Sequence, residues 1–238
     1  MLIRVAGPGL VQLGVPTALP DPELRLFSGA GVIASNDDWQ SGGDAAAIAT
    51  AAHDVGAFAF LDGSADSAVL VTLNPGAYTV HGLTKTGAAA GVVLVEVYDA
   101  SPAPATARLV NVSTRAFAGR GDATVIPGLI VEGDEGPVLL RAVGPGLEGL
   151  GVARFLRDPA MALFDGGTGI ASNDSWTLDA SADAAALMMA RTGAFALGNG
   201  SADAALRVML RGGRYTMHAT PAGEFDGRGV VLVEVYLP

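Results

Sequence analysis

The sequence predicts an all-β protein built as two tandem jelly-roll or β-sandwich domains, each with one short helix. Three observations predict this. First, the chain is two copies of one module: Ala34-Ser35-Asn36-Asp37-Asp38-Trp39 returns as Ala171-Ser172-Asn173-Asp174-Ser175-Trp176, 137 residues later, and an internal repeat decides architecture before any single element does. Second, each copy breaks into about seven short apolar or alternating runs, separated by Gly, Pro and Asn turn signals at hairpin spacing. Third, the composition is half hydrophobic but only 6% aromatic, with 33 glycines, which suits short strands and tight turns.

The repeat extends beyond its signature. Gly7-Pro8-Gly9 returns as Gly144-Pro145-Gly146, Asp21-Pro22 as Asp158-Pro159, Gly56-Ala57-Phe58 as Gly193-Ala194-Phe195, and Ser64-Ala65-Asp66 as Ser201-Ala202-Asp203. After one inserted residue, Gly91 to Tyr98 matches Gly229 to Tyr236 at an offset of 138.

Taken in order, Leu2 to Ala6 is an apolar strand interrupted by Arg4, and Gly7-Pro8-Gly9 forces a turn. Leu10 to Pro20 reads as an apolar loop. Asp21, held extended by Pro22, opens the strand Glu23 to Phe27, whose polar and apolar residues alternate. Ser28 to Gly31 is a hairpin turn and Val32 to Ser35 the returning strand. Asp44 to Val55 is the helix of the copy, Ala-rich, with Asp44 at the N-cap and Gly56 past its end; its partner runs from about Ser181 to Thr192, stopped by Gly193. Ala57 to Phe60 reads as a short strand. Ser67 to Leu73 and Ala77 to His81 read as a hairpin across Asn74-Pro75-Gly76, and Val92 to Tyr98 closes the copy.

Residues 100–106 form a Pro/Ala linker. Arg108 to Phe117 and Thr124 to Val131 then read as a hairpin with no counterpart ahead of the first copy. The expected domains are therefore 1–99, lacking its opening hairpin, and 107–238, which opens with the hairpin 107–131.

The net charge of −10 and the lack of any basic cluster argue against nucleic acid and anionic membrane surfaces as partners. The absence of cysteine removes disulfides, thiolate metal sites and a cysteine nucleophile. There is no run of 18 apolar residues, so membrane insertion by a helix is not expected. His53, His81 and His218 have no neighbouring histidine in sequence, and no nucleophile–His–acid spacing recurs. No catalytic residues and no cofactor are expected.

Four residues are expected to form structural ion pairs: Arg4 with Glu96, and Arg141 with Glu234, on neighbouring strands of one sheet in each domain. Asn36, Asp37 and Asp38, with Asn173 and Asp174, are candidate oxygen ligands for calcium, which takes six to eight of them. The competing expectation is that they satisfy turn amides. Trp39 and Trp176 are candidates for stacking on a sugar ring, against packing over the sheet beside the helix.

The Asp21-Pro22-Glu23-Leu24-Arg25-Leu26-Phe27 strand, the Asn36-Asp37-Asp38 turn and Pro75-Gly76-Ala77-Tyr78-Thr79-Val80 resemble the bacterial pre-peptidase C-terminal (PPC) domain over about two thirds of each copy. Arg141-Ala-Val-Gly-Pro-Gly-Leu147, and the Arg108 to Arg115 opening, look like a repeat variety of large secreted bacterial surface proteins. The helix after Trp39 and Trp176 departs from the PPC pattern. The resemblance implies a non-catalytic, extracellular or cell-surface module. The leading expectation is self-assembly into a surface fibre or matrix: an unpaired sheet edge in the first module is a template for a strand from another copy. The alternative is a carbohydrate- or calcium-binding accessory module of a secreted enzyme, with a polysaccharide as partner.

Overall fold

The computed structural model describes residues 1–85, 90–101, 108–223 and 227–237. They fall into two compact units, Met1–Arg108 and Leu109–Pro238. Residues 102–106 of the expected linker, and Ala107, lie outside the described residues.

The first unit contains β1 (Leu2–Ala6), β2 (Pro22–Ser28), β3 (Gly31–Asn36), α1 (Ala45–Asp54), β4 (Ser67–Leu70), β5 (Thr79–Thr84) and β6 (Leu94–Tyr98). Its two antiparallel sheets have the orders β4-β1-β6 and β3-β2-β5. All five residues of β1 are buried, because this strand is covered on both faces. Ile3 and Val5 meet Leu24 and Leu26 of β2 between the sheets. Leu2 points the other way, into a cluster with Trp39, Ala68 and the α1 residues Ile48 and Ala52. The unit is thus a sandwich with a short helix laid over one sheet. α1 ends where Gly56 takes the left-handed conformation at φ +71°, which glycine adopts without a Cβ penalty. Asp44 stands at the N-cap without bonding the helix through its side chain.

Two local expectations fail here. Ala57 to Phe60 is not a strand; it is an irregular segment that lays its phenylalanines on the sheet face. The segments around Asn74-Pro75-Gly76 do not form a hairpin either: β4 pairs with β1 and β5 with β2. The turn carries the chain from one layer to the other, and a layer crossing uses the same turn residues as a hairpin.

The second unit contains β7 (Asn111–Ala118), β8 (Gly128–Val131), β9 (Gly136–Val143), β10 (Pro159–Asp165), β11 (Thr168–Asn173), α2 (Ala182–Thr192), β12 (Ala204–Leu210), β13 (Gly213–Pro221) and β14 (Gly229–Tyr236). Its sheets have the orders β12-β9-β14-β7 and β11-β10-β13-β8. The inner faces supply Val138, Leu140, Val231 and Val233 from one sheet and Met161, Leu163, Tyr215 and Met217 from the other. Trp176 and the α2 residues Ala185, Met188 and Met189 cover the outer face of the first sheet.

The segment 107–131 is not a hairpin. β7 pairs along its whole length with β14, and β8 pairs with β13, so the two strands extend different sheets. The connection between them carries a 3-10 turn, Gly121–Ala123, and Val125 bridges to Ala219 of β13. Both strands are seated within the second unit. Among the described residues no helix is long and apolar enough to cross a membrane.

Candidate functional site

Arg4 and Glu96 sit opposite each other on β1 and β6, and Arg141 and Glu234 opposite each other on β9 and β14. Arg4 Nε lies 3.2 Å from Glu96 Oε2, and Arg141 Nη2 lies 2.8 Å from Glu234 Oε2. Both arginines are fully buried. Each guanidinium is roofed by the irregular segment after the helix: Arg4 lies 4.5 Å from the Phe58 ring and 3.9 Å from Phe60, Arg141 4.3 Å from Phe195. Tyr98 and Tyr236 donate to the free carboxylate oxygens of Glu96 and Glu234 at 2.6 and 2.7 Å. Arg141 also donates to Phe195 O at 2.6 Å. Burial lowers the Arg4 pKa, opposed by the charge of Glu96. Burial pushes the Tyr236 hydroxyl well above its ordinary value, and its bond to Glu234 adds to that.

A second buried centre joins motifs that the sequence shows as unconnected repeats. Asp66 is fully buried. Its carboxylate accepts the backbone N–H of Gly7 at 2.7 Å, that of Gly9 at 3.0 and 3.1 Å, and the Ser64 hydroxyl at 2.8 Å. Asp203 repeats this with Gly144 at 2.8 Å, Gly146 at 3.2 and 3.1 Å, and Ser201 at 2.8 Å. The Gly-Pro-Gly loop is therefore a small anion cradle filled by the protein's own aspartate. A Cβ at Gly9 would stand 3.1 Å from Asp66 Oδ2, so glycine is what lets the loop approach. The Ser-x-Asp motif, kept in both copies beside a kept Gly-Pro-Gly, was the signal available in the sequence.

The Asn-Asp turns are tied down internally. Asn36 donates to Asp38 O at 2.9 Å and accepts the Ala68 N–H at 3.0 Å; Asn173 does the same with Ser175 O at 3.3 Å and Ala205 N–H at 3.0 Å. Asp37 Oδ2 lies 3.0 Å from Lys85 Nζ, which also stands 3.8 Å from Asp21. The Asp38 backbone carbonyl also accepts from Ser41. Among the described residues no three metal-ligating side chains converge. Trp39 and Trp176 are 6% and 9% exposed, and their indole N–H groups donate to Leu61 O at 3.2 Å and Gly198 O at 3.0 Å. Both indoles are packed in the clusters between helix and sheet.

The surface that separates the two copies is a pair of sheet edges. In the second unit β14 is flanked by β7 and β13 by β8. In the first unit the equivalent strands, β6 and β5, are the edges of their sheets among the described residues. The consequence shows at equivalent residues. Val233 is 1% exposed and Val95 is 40% exposed. Tyr215 is buried, whereas Tyr78 is only partly buried. Val93, Val97 and Val80 are only partly buried around the same core.

No family model matches the chain, and no curated protein matches it. Among solved structures it is similar to the pre-peptidase C-terminal domain of a collagenase from Bacillus anthracis, at 12% identity over 53% of this chain and 89% of that chain, with a TM-score of 0.32. That neighbour carries the name of the family that the Asp-Pro, Asn-Asp and Pro-Gly-x-Tyr motifs resemble.

Proposed function

We propose that the protein is a non-catalytic structural module of an exported bacterial surface or matrix assembly, and that its first unit is an acceptor for strands from another subunit bearing the same repeat. The single observation that carries this is the contrast between the two copies. One module, with β7 and β8 in place, has a closed core; in the other, among the described residues, β6 and β5 are sheet edges and Val95 is open. Unpaired edges of this kind template strand addition, and burying Val95 alone is worth roughly 1 kcal/mol.

The internal copy also specifies the occupant. Opposite β14 it places Val112, Thr114 and Ala116 against Val235, Val233 and Val231; opposite β13 it places Leu129 against Tyr215. The donor is thus a strand–turn–strand segment with small or β-branched residues on the face shared with Val231, Val233 and Val235, split between two sheets. A segment that leaves its own unit opens one sandwich to close another, so exchange among copies of this chain gains no pairing. The donor is a segment with no home unit left to fill.

A synthetic peptide of residues 109–131 stands in for that donor. Added to the full chain, it is expected to form a one-to-one complex on size exclusion and to slow amide exchange at 79–84 and 94–98, with Val95→Arg preventing both. Unchanged exchange at both edges with the peptide in excess would overturn the proposal. Electron microscopy of longer polypeptides that contain this repeat is then expected to show filaments.

A further inference from the structure

The outer face of the second unit holds an open cleft of about 550 Å³, whose walls include Ala160, Ala162, Phe164, Asp174, Asp179 and His218. We infer that this cleft binds a primary ammonium on an aliphatic stem, the chemistry that a lysyl side chain of a partner polypeptide presents. The inference is independent of strand acceptance by the first unit.

The first unit supplies the template. There Lys85 brings its ammonium to 3.0 Å from Asp37 and 3.8 Å from Asp21. Both carboxylates recur at the repeat offset as Asp174 and Asp158, but the lysine position is Ala222. The backbone frame is retained: the Lys85 N–H donates to Asp21 O at 3.1 Å, and the Ala222 N–H to Asp158 O at 2.8 Å. The second unit therefore keeps the anionic half of an ion pair and lacks its cation. No cation is paired with Asp158 or Asp174 among the described residues. Burial, and then the charge of Asp174, raise the Asp158 pKa.

The same comparison explains the open floor. In the first unit Glu23 and Arg25 cover this face and pair with each other at 2.6 Å. Their equivalents are Ala160 and Ala162. Two small side chains and the Phe164 ring, packed 4.5 Å from His218, leave an apolar track beside Asp174, which with Asp179 supplies the carboxylates of the cleft wall. Methylenes can lie on that track while the ammonium reaches acid. A metal ion fits poorly, since calcium takes six to eight oxygens and no three ligating side chains converge among the described residues. A neutral sugar would leave the charge unpaired.

The test is an NMR titration of the full chain with Nα-acetyl-lysine N-methylamide, using the norleucine analogue, which lacks the ammonium, as control. Saturable shifts are expected at amides 160–164, 172–179 and 218–220 with the lysine compound only. Asp174→Asn is expected to weaken binding about fivefold, the size of one partly exposed ion pair, and Ala222→Lys to abolish it by filling the site from within. Ala222 is buried, so Asp174→Asn, on the surface, keeps the test decisive if the lysine variant misfolds. Equal binding of the norleucine analogue, no saturable shift at the highest soluble concentration, or the same shifts produced more tightly by calcium chloride would each overturn the inference.

Discussion

Removing the Asp203 carboxylate tests the buried cradle directly. In Asp203→Ala, the N–H groups of Gly144 and Gly146 and the Ser201 hydroxyl lose their acceptor together. An orphaned buried donor costs about 1–3 kcal/mol. The two backbone donors cannot turn away, whereas the hydroxyl can rotate toward solvent. The expected loss is therefore about 4 kcal/mol. Asp203→Asn keeps one oxygen for both glycine N–H groups and presents its amide to a hydroxyl that can reverse and accept; its expected cost is about 1 kcal/mol. The chain has two tryptophans, one in each unit, so Trp39→Phe leaves Trp176 as the only indole reporter, and the Trp176 backbone N–H bonds Asp203 O at 2.9 Å. Urea unfolding followed by Trp176 fluorescence in that background reads the second unit alone. A loss below about 1 kcal/mol for Asp203→Ala at unchanged urea slope would refute the reasoning, because both backbone donors must then have found other partners.

Arg141→Met strands Glu234 in the sheet without its cation and is expected to cost about 3–5 kcal/mol in the same unfolding assay, while the double variant with Glu234→Leu recovers most of that loss. Gly144→Ala places a Cβ against Leu156 O and is expected to prevent the second unit from folding, seen as lost Trp176 burial; Gly149→Ala, with open space around it, stays within about 0.5 kcal/mol of the parent. Tyr236, raised in the fold by burial and its bond to Glu234, is expected to be missing from an ultraviolet tyrosine titration until the protein unfolds. Its folded value exceeds its unfolded one, so its contribution is complete below about pH 10 and is lost as the pH rises above it; stability that stays flat through that alkaline range would count against this.

The repeat carried the architecture because each kept motif is a local necessity. β2 and β3 follow from alternation and a tight turn, and α1 and α2 from an alanine run stopped by glycine. The facing of Arg4 with Glu96 was legible because both charges interrupt apolar strands at kept positions. Strand partners were not legible. Asn74-Pro75-Gly76 encodes a reversal, and only the competition of β1 and β2 for neighbours decides whether the reversal closes a hairpin or crosses layers. For the same reason 107–131, with two apolar strands and a Gly-rich connection, read as a hairpin although its strands are drawn to β14 and β13. The repetition of Ser-x-Asp and of Gly-Pro-Gly marked both motifs, but not that they meet, because the partners of Asp66 are backbone N–H groups 57 and 59 residues away and backbone donors leave no side-chain pattern. Packing of the tryptophans over the sheet beside the helix was legible from their size and from the scarcity of other aromatics, and α1 and α2 fold back to complete it.

The register of β7 on β14 has a mechanical consequence. Asn111 lies opposite Tyr236, and the Leu237 N–H bonds Val110 O at 2.8 Å, so the second unit takes in its chain and releases it at one corner. Tension along the polypeptide then pulls neighbouring antiparallel strands apart from a shared end, parting their hydrogen bonds one after another instead of loading them all together. Such a module yields by peeling at low force. Its adjacent ends also let it be duplicated or spliced into a longer polypeptide without stretching whatever lies on either side.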